Sequence, residues 1–154
     1  MIERYSLAEM KEIWSEKNKY EKWLEIEIAV CKAKAELGQI PKNAAEKIEK
    51  NSVLDMKRIK EIEKTTRHDM LAFIESINEN LGNESKYVHQ GLTSSDIKDT
   101  ARSLQMKESV ELIIKDLNEM KEVLAEKASL HKKTIMIGRT HGVHAEPITW
   151  GLKM

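Results

Sequence analysis

The stretch SDIKDTARSLQMKESVELIIKDLNEMKEVLAEKASLHK, residues 95–132, decides the fold. Val110, Ile113, Ile114, Leu117, Leu124 and Ala128 recur at three- and four-residue spacing, which places apolar side chains on one face of an α-helix. No glycine or proline interrupts the run. At ~1.5 Å per residue such a helix reaches roughly 55 Å. A compact chain of 154 residues has an expected radius of gyration of only about 15 Å. The stripe therefore needs partners along its length. The sequence predicts a portion of a longer protein, or a piece that assembles with other chains.

Upstream, the same period recurs in shorter runs. Ser6 and Glu9 have capping-box spacing. Trp23, Ile26, Val30, Ala33 and Leu37 mark one helix face that Gly38 can end. Pro41 suits the first turn of a short helix. Asp55 can cap another helix carrying Met56, Ile59 and Ile62, and a further one runs from about Asp69 to Leu81, with Gly82 as its stop. Two prolines, six glycines and 5% aromatic residues also favour helices over sheets. The fold expectation is all-α: an N-terminal helical domain over 1–92, then the beginning of a long-helix bundle domain over 93–154. The polar stretch from Gly82 to Ser94 marks the boundary. Pro147 is read as opening a last helix.

Composition narrows the function classes. Lys plus Arg and Asp plus Glu both number 26, so the formal net charge is zero. A nucleic-acid or membrane surface calls for a lopsided basic balance, so neither partner is expected. The single cysteine, Cys31, cannot form an internal disulfide and suits a reducing compartment. It sits among Ala29, Val30 and Ala33, as a small core residue would. No apolar run approaches the ~18 residues of a membrane span, and the N-terminus has no signal-peptide pattern. The expected location is cytoplasmic.

Three polar clusters interrupt the helical pattern. Thr66-Arg67-His68-Asp69 and Thr93-Ser94-Ser95-Asp96 each pair a threonine with an aspartate three residues on, at a predicted helix start. Free N–H groups and the positive end of the helix dipole favour an anion there, and Arg67 adds a fork of donors for phosphate or carboxylate. Taken singly, each also reads as a plain cap. The third cluster is Gly138-Arg139-Thr140-His141-Gly142-Val143-His144-Ala145-Glu146-Pro147, read as a loop between two helices. Its glycines permit close backbone approach to a ligand, and histidine moves a proton near neutral pH. His141, His144 and Glu146 raise a metal reading, but there is no His-Glu-x-x-His helix or cysteine pair, so neither metal nor cofactor is expected. His89 and His131 have no evident partner in the sequence.

Taken together, the clusters resemble the fumarase/aspartase superfamily. Thr93-Ser94-Ser95-Asp96 is similar to its first signature region and Gly138-Arg139-Thr140-His141-Gly142 to its second. Thr66-Arg67-His68-Asp69, Glu3-Arg4-Tyr5-Ser6 and the Val143 to Gly151 extension resemble the branch that removes fumarate from succinylated purine nucleotides. The third signature, a serine-rich mobile loop that carries the catalytic base, does not occur in these 154 residues. The resemblance implies the first third of a family member, inactive alone.

It also implies roles. His141 is the general acid, oriented with the succinyl group by Thr140. Thr93 and Ser94 hold a succinyl carboxylate. Arg67, His68 and Asp69 line the nucleotide end, with His68 binding or assisting proton transfer. Arg4 and Tyr5 reach phosphate and ribose. The implied assembly is a homotetramer with active sites shared between subunits. A sister lyase acting on argininosuccinate or an aspartate-type substrate is the nearest alternative. A helical adaptor module is the other, but it gives no reason for anion-suited helix starts.

Overall fold

The computed structural model describes residues 2–154. The chain divides into two compact units, Met1–Ser109 and Val110–Met154. The first holds α1 (Ala8–Ile13), α2 (Glu16–Glu36), α3 (Lys42–Asn51), α4 (Met56–Thr66) and α5 (Asp69–Asn78). Short 3₁₀ turns lie at Glu3–Tyr5 and Gly82–Tyr87. The long α6 (Ser94–Leu130) gives its first turns to this unit and continues into the second. There it is followed by β1 (Ile135–Thr140), β2 (Val143–Thr149) and α7 (Trp150–Lys153). The helical architecture agrees with the sequence expectation, with one small sheet added.

Local chemistry accounts for most element ends. The Asp55 carboxylate accepts from Lys57 N–H at 2.9 Å and Arg58 N–H at 3.0 Å, capping α4. Gly38 takes φ 71° after α2, and its N–H donates to the Ala35 carbonyl, a left-handed stop. The Ser6 and Glu9 expectation is corrected. Leu7 stands at the cap of α1, and the Ser6 hydroxyl donates to the Ile2 carbonyl at 2.9 Å. A break follows, and Ser15 caps α2 by accepting from Asn18 N–H at 3.0 Å.

The core of the first unit centres on Tyr20, Trp23 and Phe73. Ring centroids lie 4.9 Å (Tyr20–Trp23), 5.8 Å (Tyr20–Phe73) and 5.4 Å (Trp23–Phe73) apart. Ile48, Ile59, Met70, Ile77 and Ile97 complete it. Burial, with the nearby charges of Glu63, Glu16 and Asp69, pushes the Tyr20 phenol up to about 12. The buried face of α2 is Tyr20, Trp23, Glu27, Cys31 and Ala35. The apolar pattern points instead to a face through Val30, Ala33 and Leu37, but Ala33 and Leu37 are exposed. The difference comes from Glu27, a charged residue that hydropathy sends outward but whose carboxylate is met inside by the half-buried His89.

In the second unit, the loop expectation for Gly138–Pro147 gives way to a β-hairpin. Ile135 pairs with Thr149, Ile137 with Pro147, Arg139 with His144 and Thr140 with Val143, with an irregularity between Ile137 and Arg139. Pro147 therefore lies within β2, where a two-stranded sheet tolerates a residue without an N–H. The last helix starts at Trp150, capped by the Thr149 hydroxyl, which accepts from Leu152 N–H at 3.2 Å. Trp150 N–H donates to the Thr134 carbonyl at 2.8 Å and Gly151 N–H to the His131 carbonyl at 3.0 Å. The His131 ring, without an evident partner in the sequence, lies 3.9 Å from the Trp150 ring.

Candidate functional site

In the first unit, Thr66-Arg67-His68-Asp69 forms the corner between α4 and α5. Arg67 occupies the left-handed region at φ 51°, ends α4 and is exposed. The expected Thr66 cap is corrected here, because the N-cap of α5 is His68. Its Nδ1 accepts from Leu71 N–H at 3.1 Å. A ring nitrogen that accepts is unprotonated, so the neutral His68 carries its proton on Nε2, outward from the cap. Asp69 Oδ1 lies 3.9 Å from the same Nδ1, outside hydrogen-bond reach, so the cap sets the tautomer. Thr66 instead turns back, its hydroxyl donating to the Ile62 carbonyl at 3.2 Å.

Asp69 opens α5 and accepts from Met70 N–H and from Lys98 Nζ, both at 2.7 Å. Burial opposes its charge. The Lys98 ammonium and the Met70 N–H outweigh that and hold the carboxyl below its ordinary value. Lys98 lies on the second turn of α6, so the first cluster is linked to the helix that begins at the second. There the Asp96 carboxylate accepts from Thr93 N–H at 2.8 Å, one half of a capping box. Thr93 is exposed and Ser94 half-buried at the first residues of α6. Near the N-terminus, the Arg4 guanidinium lies 4.8 Å from the Tyr5 ring centre. The Glu3 side chain, part of that matched run, lies outside the described residues.

A cleft of about 610 Å³ opens beside Asp69, with Lys19, Lys98, Arg102, Trp14 and Trp23 on its wall. Lys19 sits 4.2 Å above the Tyr20 ring and 5.1 Å above that of Trp23. These cations are absent from the candidates read off the sequence. Lys98 and Arg102, four apart on a helix beginning at a polar cluster, are the signal that can find them.

In the second unit, His141 and Gly142 are the central residues of the hairpin turn, at φ 49° and 77°. Paired positive φ values fit a two-residue type I′ turn, which suits the twist of a hairpin. Thr140 and His141 are exposed at this tip. Gly138 belongs to the strand interior, where an added Cβ would lie 2.9 Å from the Glu146 carbonyl oxygen. Among the described residues, no group of three His, Cys, Asp or Glu side chains is placed to hold a metal ion. Among the same residues, no helix is long and apolar enough to cross a membrane.

The first unit thus offers polar clusters at helix starts, and the second a histidine at a hairpin tip. A family model described as Lyase matches residues 4–154, and the chain belongs to that family. It is 53% identical to adenylosuccinate lyase of Aquifex aeolicus (strain VF5) over 157 aligned residues and 52% identical to adenylosuccinate lyase of Bacillus subtilis (strain 168) over 154. Each alignment covers 100% of this chain, which spans 36% of the length of either relative. Among solved structures, it is similar to fumarate lyase from Mesorhizobium sp. BNC1, with a TM-score of 0.87 and 34% identity. That match covers 94% of this chain and 35% of the other.

Proposed function

We propose that this chain is the N-terminal portion of a carbon–nitrogen lyase that splits adenylosuccinate into AMP and fumarate. The same site would act on the succinylated aminoimidazole carboxamide ribotide of purine biosynthesis. The observation that carries this reading is identity of 52–53%, over the length of this chain, to the matching third of two adenylosuccinate lyases. Residues 93–154 then begin the long-helix bundle domain.

The reaction is a β-elimination. A base takes the proton on the carbon beside a succinyl carboxylate, the C–N bond breaks, and its electron pair leaves with the nitrogen. An acid protonates that nitrogen as fumarate forms. Negative charge builds on the carboxylate, so donors aimed there lower the barrier. His141 is the acid, suited by an imidazole that can give up a proton and by its exposed place at the hairpin tip. Thr140 orients it with the succinyl group. Thr93 and Ser94 bind the carboxylate at the start of α6, where helix N–H groups favour an anion. Arg67, His68 and Asp69 line the nucleotide end, and Arg4 and Tyr5 take phosphate and ribose. The His68 tautomer, with Nε2–H outward, suits donation to a nucleotide acceptor.

The base, a serine in the family's third signature, is outside these residues. The exposed Val110, Ile113, Leu117, Met120 and Leu124 on α6 support association with other chains; the whole enzyme is proposed as a cytoplasmic homotetramer with shared sites, on its likeness to the family. A chimera with residues 1–154 replacing the matching segment of the Bacillus subtilis relative tests the reading. It should release AMP and fumarate from adenylosuccinate and leave argininosuccinate intact. The reverse preference would overturn it.

A further inference from the structure

Glu27, Cys31 and Lys34 stand at i, i+4 and i+7 on α2, one above another on a single face. All three reach the backbone or side chains of the segment that leads into Thr93 and Ser94. The Glu27 carboxylate accepts from the His89 N–H at 3.0 Å and lies 2.5 Å from His89 Nδ1. The Cys31 thiol donates to the Tyr87 carbonyl at 3.8 Å between sulfur and oxygen. The Lys34 ammonium donates to the Gln90 carbonyl.

The held segment has an unusual backbone. His89 takes φ 57° and Gly91 φ 77°, so two left-handed residues precede the start of α6. A histidine there is strained relative to extended backbone and needs outside contacts to persist. Glu27 supplies two of them at one residue. It is 1% exposed, and a buried carboxylate is costly without partners. An apolar side chain of similar size often fills such a place with no loss of stability. Core packing alone thus gives little reason for a glutamate at this position.

We propose that Glu27 is a positioning residue of the lyase site, supported by Cys31 and Lys34. It fixes the path of residues 87–91 and so the placement of Thr93 and Ser94 at the carboxylate-binding helix start. This rests on the function proposed above. It predicts that Glu27 acts through the loop and touches no substrate.

Two measurements test it. In the 154-residue chain, Glu27→Met should speed amide exchange over residues 88–96 roughly tenfold while α5 core amides keep their protection. Lys34→Met, a change at a half-buried site, should do the same to a smaller degree and serves if Glu27→Met fails to fold. In the chimera, Glu27→Met should raise KM for adenylosuccinate roughly tenfold with a smaller change in kcat, and Glu27→Gln, which keeps an acceptor oxygen, should restore most of it. Unchanged loop exchange in both Met variants would overturn the proposal. So would an unchanged KM in Glu27→Met if Thr93→Val and Ser94→Ala in the same chimera raise KM. If those two variants also leave KM unchanged, the carboxylate-site reading fails, and the proposal falls with it.

Discussion

The Lys98 ammonium donates to the Asp69 carboxylate at 2.7 Å, tying the second turn of α6 to the first residue of α5. Two sequence clusters 24 residues apart at their nearest, Asp69 and Thr93, therefore share one structural link. The link has a pH signature. A carboxyl held below its ordinary value of about 3.9 stabilises the fold above that pH and loses the contribution as pH falls through the folded-state value. Asp69→Asn should cost up to ~1 kcal/mol at neutral pH, as expected for a partly exposed pair. The gap from the unsubstituted chain should narrow near pH ~3. Urea unfolding followed by tryptophan fluorescence measures both. An equal gap at the two pH values would contradict the assignment.

Gly142 and Gly151, both in the second unit, should differ in sensitivity. Gly142 has φ 77° with open space around it, so Gly142→Ala should cost about 1–2 kcal/mol of hairpin stability through backbone strain alone. At Gly151 an added Cβ would lie 2.8 Å from the Lys132 Cα and nitrogen and closer still to the Ala128 carbonyl. Those obstacles are backbone, so α7 must leave the end of α6. The Trp150 indole resonance should move strongly in Gly151→Ala and little in Gly142→Ala. The opposite order would show that α7 is not seated there.

Cys31 should be inert in the folded chain. Burial, together with the nearby Glu27 charge, pushes its thiol up, and the thiolate is the reactive form. Labelling by a maleimide at neutral pH should be slow and should accelerate in denaturant. Fast native-state labelling would mean that the α2 face opens readily.

The apolar stripe of α6 should drive association. Met106, Val110, Ile113, Leu117, Met120 and Leu124 alternate at four and three residues and are all exposed, the spacing of a coiled-coil seam. Each is about half exposed, so leaving it uncovered forgoes about half of the ~1.5–3 kcal/mol of full burial. Sedimentation should give a concentration-dependent mass, and Leu117→Glu with Met120→Glu should return the chain to a monomer. A monomer at all concentrations would count against the proposed tetramer.

Much of the helical frame was legible because its signals are local. Asp55 and Gly38 act within a turn of their own positions, and the long period of α6 needs no tertiary knowledge. The buried face of α2 was not legible, since it turns on Glu27, whose partner His89 lies 62 residues away. The hairpin escaped for a different reason. Ile135-Met136-Ile137-Gly138 shows no apolar/polar alternation, and Pro147 and the glycines point to a loop. The turn at His141-Gly142 lacks the Asn-Gly or Asp-Gly pair that usually announces a hairpin. The candidate residues themselves were readable from their clusters. Of the cations around the 610 Å³ cleft, Lys98 and Arg102 carry a local signal in their four-residue spacing, while Lys19 does not, because it reaches the cleft from a different helix.

In the proposed enzyme, His141 is the acid of a fumarate-releasing elimination. The most direct measurement is steady-state AMP and fumarate release by the chimera, comparing His141→Ala with Arg67→Ala, alongside direct binding of adenylosuccinate to each. The 154-residue chain is assayed in parallel and should show no turnover, lacking the serine loop. His141→Ala should lower kcat by ~10²–10⁴-fold with binding little changed, because a general acid acts on the transition state. Arg67→Ala should mainly raise KM. A His141→Ala enzyme with near-normal kcat and weakened binding would contradict the account and move the acid role to His68.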